Sequence, residues 1–429
     1  MIKGKFQTFI QIQRDLFLHY NSISDSYLLL DEANHLLYEN TPSNEVCRLN
    51  QQLYQKLVAG QYYIEEKFCE LDHILNKRML QKQDTNMYHI VINTTLDCNL
   101  RCWYCYESKF KGSQIKVDIL EAIKKNIELH YHKEAYEILK LSFFGGEPFM
   151  NFKAIKQVLS FAQEFCLANR IKLTADFTTN ATLINKNIVD YLKNFNCMFQ
   201  ITLDGNCEQH NKVKVLKGID TFQLAIDNIH QIENNIPESK IWVRINYDAD
   251  TLKNIDSIFA KLNDLNRKKV YIMLRKIWQV PSCDICAEDL LSVIQKGIDL
   301  GFILDCYPLN PRRMCFAEYK NQVLINFDGK VFKCSTISAF DDAHSLGKLN
   351  TVDGSIEWEN KKIQSYDETL SSKRCENCPL FGTCYGACTQ KLLKNRNDNF
   401  CILDGLGLSI EQFLMYNFKL SLLHKKIFG

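Results

Sequence analysis

Two hydrophobic periodicities divide the chain. From Tyr88 onward, short apolar runs of strand length alternate with stretches of helical spacing. The runs are His89–Thr94, Leu139–Phe144, Leu173–Thr178, Met198–Leu203, Trp242–Tyr247 and Val270–Arg275; the helical stretches between them include Val117–His130, Phe152–Ala168, Thr221–Ile232 and Ile255–Leu265. Strands that alternate with helices predict parallel βαβ units. Six such units fit an open, partial (β/α)6 TIM-like barrel better than a closed eight-unit one. The pattern before Tyr88 is different. Apolar stretches at Tyr27–Leu30 and Leu36–Tyr38 are followed by helical patterns near Asn50–Ala59 and Glu70–Leu80, which predict a small α+β module. The polar stretch Gln81–Asn86 reads as a linker. From about Pro281 the alternation fades into an irregular, cysteine-rich region. Ser409–Ile427 closes the pattern as an amphipathic helix, expected to pack on its own domain. The division expected is therefore 1–87, 88–290 and 291–429.

Composition adds a constraint. The 429 residues are 46% hydrophobic and 24% charged, so a sizeable core is possible. A net charge of +2 gives no reason to expect nucleic acid or an anionic membrane as partner. No apolar run reaches transmembrane length, and the first residues lack a signal-peptide core, so a cytoplasmic protein is expected. Without a signal peptide, 18 cysteines point to metal binding or redox chemistry rather than disulfides. Three fall at 98–105 and five at 375–401.

The first group reads Thr95-Leu-Asp-Cys98-Asn-Leu-Arg-Cys102-Trp-Tyr-Cys105, directly after the first barrel strand. Thiolates are soft ligands that suit iron–sulfur clusters or zinc. Structural zinc favours paired Cys-x2-Cys units, which this spacing is not. Three thiolates on a four-iron cluster leave one iron open to a substrate. Trp103, Tyr104 and Tyr106 are candidates to shield such a cluster from water.

This motif resembles that of the radical S-adenosylmethionine (radical SAM) superfamily. The resemblance implies that Cys98, Cys102 and Cys105 hold a 4Fe–4S cluster whose open iron binds S-adenosyl-L-methionine. Reductive cleavage would then give a 5′-deoxyadenosyl radical. Further segments resemble the family at successive strand ends: Gly145-Gly146-Glu147-Pro148, Thr178-Thr179-Asn180-Ala181 and Thr202-Leu203-Asp204-Gly205. The implied cofactor contacts are Tyr104, Gly145, Gly146, Glu147, Pro148, Asn180, Thr202 and Asp204. The glycines would let backbone approach a ligand closely. Ala181 replaces a usual glycine. The basic residue expected after a His-Asp pair is not evident in His210-Asn211-Lys212, and His210 reads as structural.

The distal cysteines exceed what one tetrahedral site needs, so two centres are expected. Their spacing resembles the SPASM auxiliary-cluster domain. By that resemblance, Cys375, Cys378, Cys384 and Cys401 enclose an outer 4Fe–4S cluster, and Cys315, Cys334 and Cys388 hold an inner one. Its fourth position would be open or filled by Cys306. Three clusters in all are thus implied. Cys283 and Cys286 read as free thiols in a loop; Cys47, Cys69, Cys166, Cys197 and Cys207 read as inert ones.

Auxiliary clusters suit chemistry that withdraws an electron from a substrate radical. The resemblance implies a peptide or protein substrate and an electron donor such as flavodoxin or ferredoxin. Ribosomal-peptide maturases often bind a leader peptide by strand addition to an N-terminal winged-helix-like element, a role open to residues 1–85. Anaerobic sulfatase-maturing enzymes are the competing relatives. Their pattern has an Asp base where Ser335 follows Cys334, and a hydroxyl is a poor base. Thioether or carbon–carbon cross-linking of a peptide is therefore the expected function. A small-molecule cofactor maturase and a non-catalytic binding protein are the other readings considered.

Overall fold

In the computed structural model, the described residues are 1–107, 109–281, 285–306, 314–337, 339–367, 372–386, 388–394, 401, 403 and 407–429. Cys283 and the side chain of Cys306 lie outside them. The chain forms two compact units. One comprises Met1–Lys82, Tyr307–Cys315 and Glu368–Leu422; the other comprises Gln83–Cys306, Phe316–Asp367 and Leu423–Gly429. The break after Lys82 falls inside the polar stretch expected as a linker.

The second unit carries the βα alternation. Its strands are β4 (Met87–Thr95), β5 (Ile138–Gly145), β6 (Lys172–Thr179), β7 (Cys197–Leu203), β8 (Ser239–Tyr247) and β9 (Val270–Lys276). All pair in parallel with their sequence neighbours. A short β10 (Leu304–Cys306) extends the sheet past β9. On the far side, β11 (Gln322–Ile325) adds in parallel to β4, and β12 (Lys330–Phe332), β13 (Gly347–Leu349) and β14 (Ile356–Trp358) follow antiparallel. The result is an 11-stranded, mostly parallel sheet. Helices α5 (Val117–Lys133), α6 (Phe152–Asn169), α7 (Lys186–Leu192), α8 (Cys207–Val213), α9 (Thr221–Asn235), α10 (Ile255–Leu262) and α11 (Ala287–Asp299) connect the strands.

Side chains alternate along each strand because the period is two. One face supplies the core: Phe143, Phe177 and Phe199 stack across three neighbouring strands with ring centroids 5.2–5.3 Å apart. The other face is polar. There His89 on β4 lies 2.8 Å from the Ser142 hydroxyl on β5, and Lys140 pairs with Asp176 on β6 at 2.5 Å. A face filled this way is the inner face of the partial barrel, walled by paired polar groups.

The first unit begins with an antiparallel sheet of β1 (Gln7–Gln13), β2 (Leu16–Asn21) and β3 (Ser26–Asp31). Helices α1 (Glu32–Asn40), α2 (Ser43–Leu49), α3 (Gln51–Ala59) and α4 (Glu70–Lys82) follow. Asp31 caps α1 by accepting from the Asn34 N–H, and Asn50 does the same for α3 through Leu53. Strands β1 and β2 were not read from the sequence; in β1 the alternation is mixed with glutamines that blur it. This module shares its core with the cysteine-rich segment. Phe6, Ile23, Ile74, Phe381 and Tyr385 form one buried cluster. The Tyr20 hydroxyl meets Thr383 Oγ1 at 3.0 Å, and buried Arg78 donates to the Tyr385 carbonyl at 2.9 Å. A Cβ on Gly382 would meet the Ser22 carbonyl oxygen at 2.6 Å, so only glycine permits that crossing. The helix α12 (Ile410–Phe428) buries Phe413, Leu414 and Leu420. No helix among the described residues is long and apolar enough to cross a membrane.

Candidate functional site

The strand order puts four loops at one edge of the barrel sheet. Cys98, Cys102 and Cys105 lie just past β4. Pro148 begins a short 3-10 turn just past β5, Asn180 and Ala181 follow β6, and Asp204 follows β7. Cys98 is buried, Cys102 is half-buried and Cys105 is exposed. Polar donors surround the first sulfur: the Leu100 N–H lies 3.4 Å from Cys98 Sγ and the Asn180 amide 3.8 Å. Burial pushes the Cys98 thiol up to about 11 against that N–H bond. Burial raises Cys102 as well, opposed first by Lys214. Loading such thiols with metal displaces their protons. The ring of N–H donors and the nearby ammonium suit the anionic thiolate–metal state, so the residues fit an iron–sulfur cluster.

Gly145 and Gly146 owe their identity to a crossing of two chain segments. Gly145 has φ +107°, and a Cβ there would meet the Thr95 carbonyl oxygen at 2.2 Å. On Gly146 it would meet the Asp97 carbonyl oxygen at 2.0 Å. The backbone these glycines admit closely is thus the start of the cysteine loop, locked by the Glu147 N–H to the Asp97 carbonyl at 2.9 Å. Glu147 is fully buried and accepts from Asn180 N–H and Thr179 Oγ1, both at 2.8 Å, and from Phe149 N–H at 3.1 Å. Burial raises it to about 7 despite those bonds. A carboxylate has about four acceptor positions, so one remains for a cationic ligand, whose charge would favour its ionised form. Ala181 takes the usual glycine's place at φ +63°, in the left-handed region. Its carbonyl is held by the Asn228 amide at 2.8 Å.

Tyr104 and Asp204, far apart in sequence, meet at 2.5 Å through the phenol hydroxyl. Asn246 at the end of β8 donates to Asp204 at 2.9 Å and to the Tyr104 oxygen at 3.0 Å. Lys214 completes this group with an ion pair to Asp204, both side chains 2% exposed. Burial pulls the lysine down, but Asp204 and Tyr104 outweigh it and the pair stays ionised. Lys214 and Asn246 were missed in the sequence. The signal for Lys214 is a basic residue four positions after His210, one helical turn on. His210 itself is fully buried, accepts from the Asp204 N–H at 3.2 Å through Nδ1, and is lowered to about 3 by burial. It positions Asp204 as a neutral ring. Thr202 lies on β7 on the same face as Asp204 and is partly exposed. Trp103 is 60% exposed. Tyr106 reaches toward Ser335, its hydroxyl 3.5 Å from that carbonyl, which sets the buried Cys334 beside the first cysteine loop.

In the other unit, Cys375, Cys378, Cys384 and Cys401 line one cavity of about 410 Å³ with Arg374, Phe381 and Leu408. Ser372 caps the turn before Cys375 and its hydroxyl lies 3.2 Å from that sulfur. Burial pushes the Cys384 thiol up to about 12, and Cys375, Cys378 and Cys401 add to the rise. Four thiols facing one cavity are the donor set a cluster needs. Cys315 and Cys388 are half-buried and belong to this unit, whereas Cys334 belongs to the barrel unit.

Residues 92–257 match the family model described as the radical SAM superfamily. A radical SAM cyclopropyl synthase, TigE of Paramaledivibacter caminithermalis, is 24% identical over 425 residues, covering 88% of this chain and 83% of its own. A cysteine-type anaerobic sulfatase-maturating enzyme of Clostridium novyi is 24% identical over 344 residues, covering 71% and 87%. An uncharacterized protein of Methanocaldococcus jannaschii is 30% identical over 253 residues, covering 49% and 83%. Among solved structures, native anSMEcpe with bound AdoMet and Cp18Cys peptide superposes with a TM-score of 0.59 at 17% identity, covering 79% of this chain and 99% of that one. Streptococcus suis SuiB bound to its precursor peptide SuiA superposes at 0.51 and 14% identity, covering 95% and 99%. These likenesses show a shared fold. With the cysteine loop seated at the strand ends of such a barrel, the chain belongs to the radical SAM superfamily and is a radical SAM enzyme.

Proposed function

We propose that this enzyme is a peptide maturase that oxidatively modifies or cross-links a ribosomally made peptide. In this reading Cys98, Cys102 and Cys105 hold the cluster that supplies the electron for cleaving S-adenosylmethionine to a 5′-deoxyadenosyl radical. Glu147 receives the substrate ammonium, while Lys214, oriented by Asp204, offers a cation for its carboxylate. Tyr104 and Asn246 fix Asp204 so that this cation is held in place. Cys375, Cys378, Cys384 and Cys401 would hold an outer auxiliary cluster, and Cys315, Cys334 and Cys388 would hold an inner one. These would accept the second electron of the oxidation.

One observation carries the peptide reading. The N-terminal module is a three-stranded sheet whose edge strands β1 and β3 each pair only with β2 among the described residues, followed by the four helices α1–α4. An open edge is what strand addition of a leader peptide requires. Leu29 on β3 is 45% exposed. SuiB, bound to its precursor peptide, spans 95% of this chain, N-terminal module included in that extent. Maturation of a sulfatase is the second reading, favoured by the Clostridium novyi relative; that match covers 71% of the chain, and Ser335 stands where the base would be.

The test is anaerobic co-expression with any short peptide found encoded beside the enzyme, followed by mass spectrometry. Loss of hydrogens from the peptide core supports the proposal. Formylglycine in a neighbouring sulfatase, with the peptide untouched, refutes it. Removal of residues 1–85 is the wrong probe of leader binding, because it strips the cover from Phe381 beside the outer cysteines. Leu29→Asp on the open edge leaves that core intact and should weaken leader binding.

A further inference from the structure

The N-terminal module contains a group of side chains that radical chemistry does not use. His19 on β2 and His35 on α1 are 1% and 6% exposed, and His19 Nε2 lies 3.0 Å from His35 Nδ1. Glu39 follows His35 by four residues, on the same face of α1. One ligand atom from each of His19, His35 and Glu39 lies within 4.8 Å of the other two. We propose that these three residues form a binding site for a late first-row divalent cation, zinc foremost, that ties β2 to α1.

Zinc binds imidazole nitrogen and carboxylate oxygen at about 2.0–2.2 Å, which places ligands around a tetrahedral ion about 3.3 Å apart. The two imidazoles therefore need to part by only a few tenths of an ångström. Two imidazoles and one carboxylate suit zinc, cobalt or nickel, and leave a fourth position for water. Both rings are already neutral: burial lowers His19 to about 3, and lowers His35 as well. In the cation-free pair one facing nitrogen donates its proton to the other. Binding moves that proton to the opposite nitrogen of its own ring, with none lost to solvent. An aromatic collar encloses the pair. Phe17 stacks on His35 with centroids 3.8 Å apart, and Phe9 lies 5.2 Å from His19 and 4.6 Å from His35. Low polarity strengthens the attraction between cation and carboxylate.

A cation already rests there. The Lys3 ammonium lies 3.2 Å from Glu39 Oε2, 2.9 Å from the Glu39 carbonyl oxygen and 4.6 Å from the Tyr38 ring centre. It shows that the position attracts positive charge, and it is the group a metal must displace. Lys3 is 35% exposed, so water receives it when it swings away. The proposal does not depend on which peptide the enzyme modifies.

The test uses the full-length enzyme with its iron–sulfur clusters loaded, so that the cluster thiols are occupied. It is dialysed to equilibrium against zinc sulfate and its zinc content measured by mass spectrometry. Wild type should hold one more zinc per chain than His35→Gln. Glu39→Gln, a part-exposed change that spares the core, should weaken that site at least about tenfold. Lys3→Gln, which removes the competitor, should tighten it several-fold. At a given zinc concentration, zinc should raise the melting temperature of the wild type more than that of Glu39→Gln. Equal zinc content in wild type, His35→Gln and Glu39→Gln overturns the proposal, and so does unchanged affinity in Lys3→Gln.

Discussion

Lys214 offers the sharpest test of the site's electrostatics. Its ammonium and the Asp204 carboxylate are 2% exposed, so each charge depends on the other. Lys214→Met removes one and strands the other. Tyr104 and Asn246 still donate to Asp204 at 2.5 and 2.9 Å, but neither carries charge. Breaking a buried pair on one side costs about 3–5 kcal/mol. At about 2–4 °C per kcal/mol for a unit of this size, the barrel should melt about 6–20 °C lower. Adding Asp204→Asn makes both positions neutral and keeps an acceptor for Tyr104, so the double variant should recover most of the loss. Thermal unfolding followed by circular dichroism, on anaerobically loaded protein, reads both. Parallel assay of 5′-deoxyadenosine should find single and double variants alike impaired, since both lack the cation. The reasoning fails if Lys214→Met melts within about 2 °C of wild type, or if the double variant is no more stable than the single.

Three further outcomes follow from other parts of the molecule. Gly146→Ala forces a methyl to within 2.0 Å of the Asp97 carbonyl oxygen, so the cysteine loop must shift; iron bound at the first site and 5′-deoxyadenosine yield should fall together, while the outer cysteines still load. Phe381→Ala removes the ring beneath the N-terminal module and should cost about 3–5 kcal/mol, seen as lost hydrogen-exchange protection in residues 1–82 and none in the barrel strands. His19 and His210 are held neutral by burial, each lowered from 6.5 to about 3. The unfolded chain binds more protons between those values, so their contribution is full above pH 6.5 and declines as pH falls toward 3. Each adds a slope of up to about 1.4 kcal/mol per pH unit; denaturant titrations of metal-free protein at pH 7 and pH 5 should show it, and His210→Gln should reduce it.

Part of the sequence reading went wrong through geometry that is not local. Gly145 and Gly146 were read as glycines that let backbone approach a ligand; the close approach they also permit is that of the chain's own cysteine loop. Trp103 was expected to shelter a cluster and is exposed instead. Lys214 was overlooked because a helix turn after His210, rather than the adjacent residue, returns its ammonium to Asp204. Local propensity gives no hint of such a return.

What the sequence determined by itself is considerable. The six barrel strands follow from largely apolar runs of strand length between amphipathic helices, the pattern of parallel βα units. The cysteine loop is legible because a cluster's ligands must be close in space, and here closeness in space is closeness in sequence. What only the tertiary structure decided involves partners far apart in the chain. The pairing of Tyr104, Asp204, Lys214 and Asn246 is one case. The shared core of the N-terminal module and the outer cysteine segment is another: Phe6 and Phe381 meet across the whole barrel sequence, and no periodicity encodes which buried faces will meet. The same holds for His19, His35 and Glu39, where a strand and a helix, each ordinary alone, converge on one point.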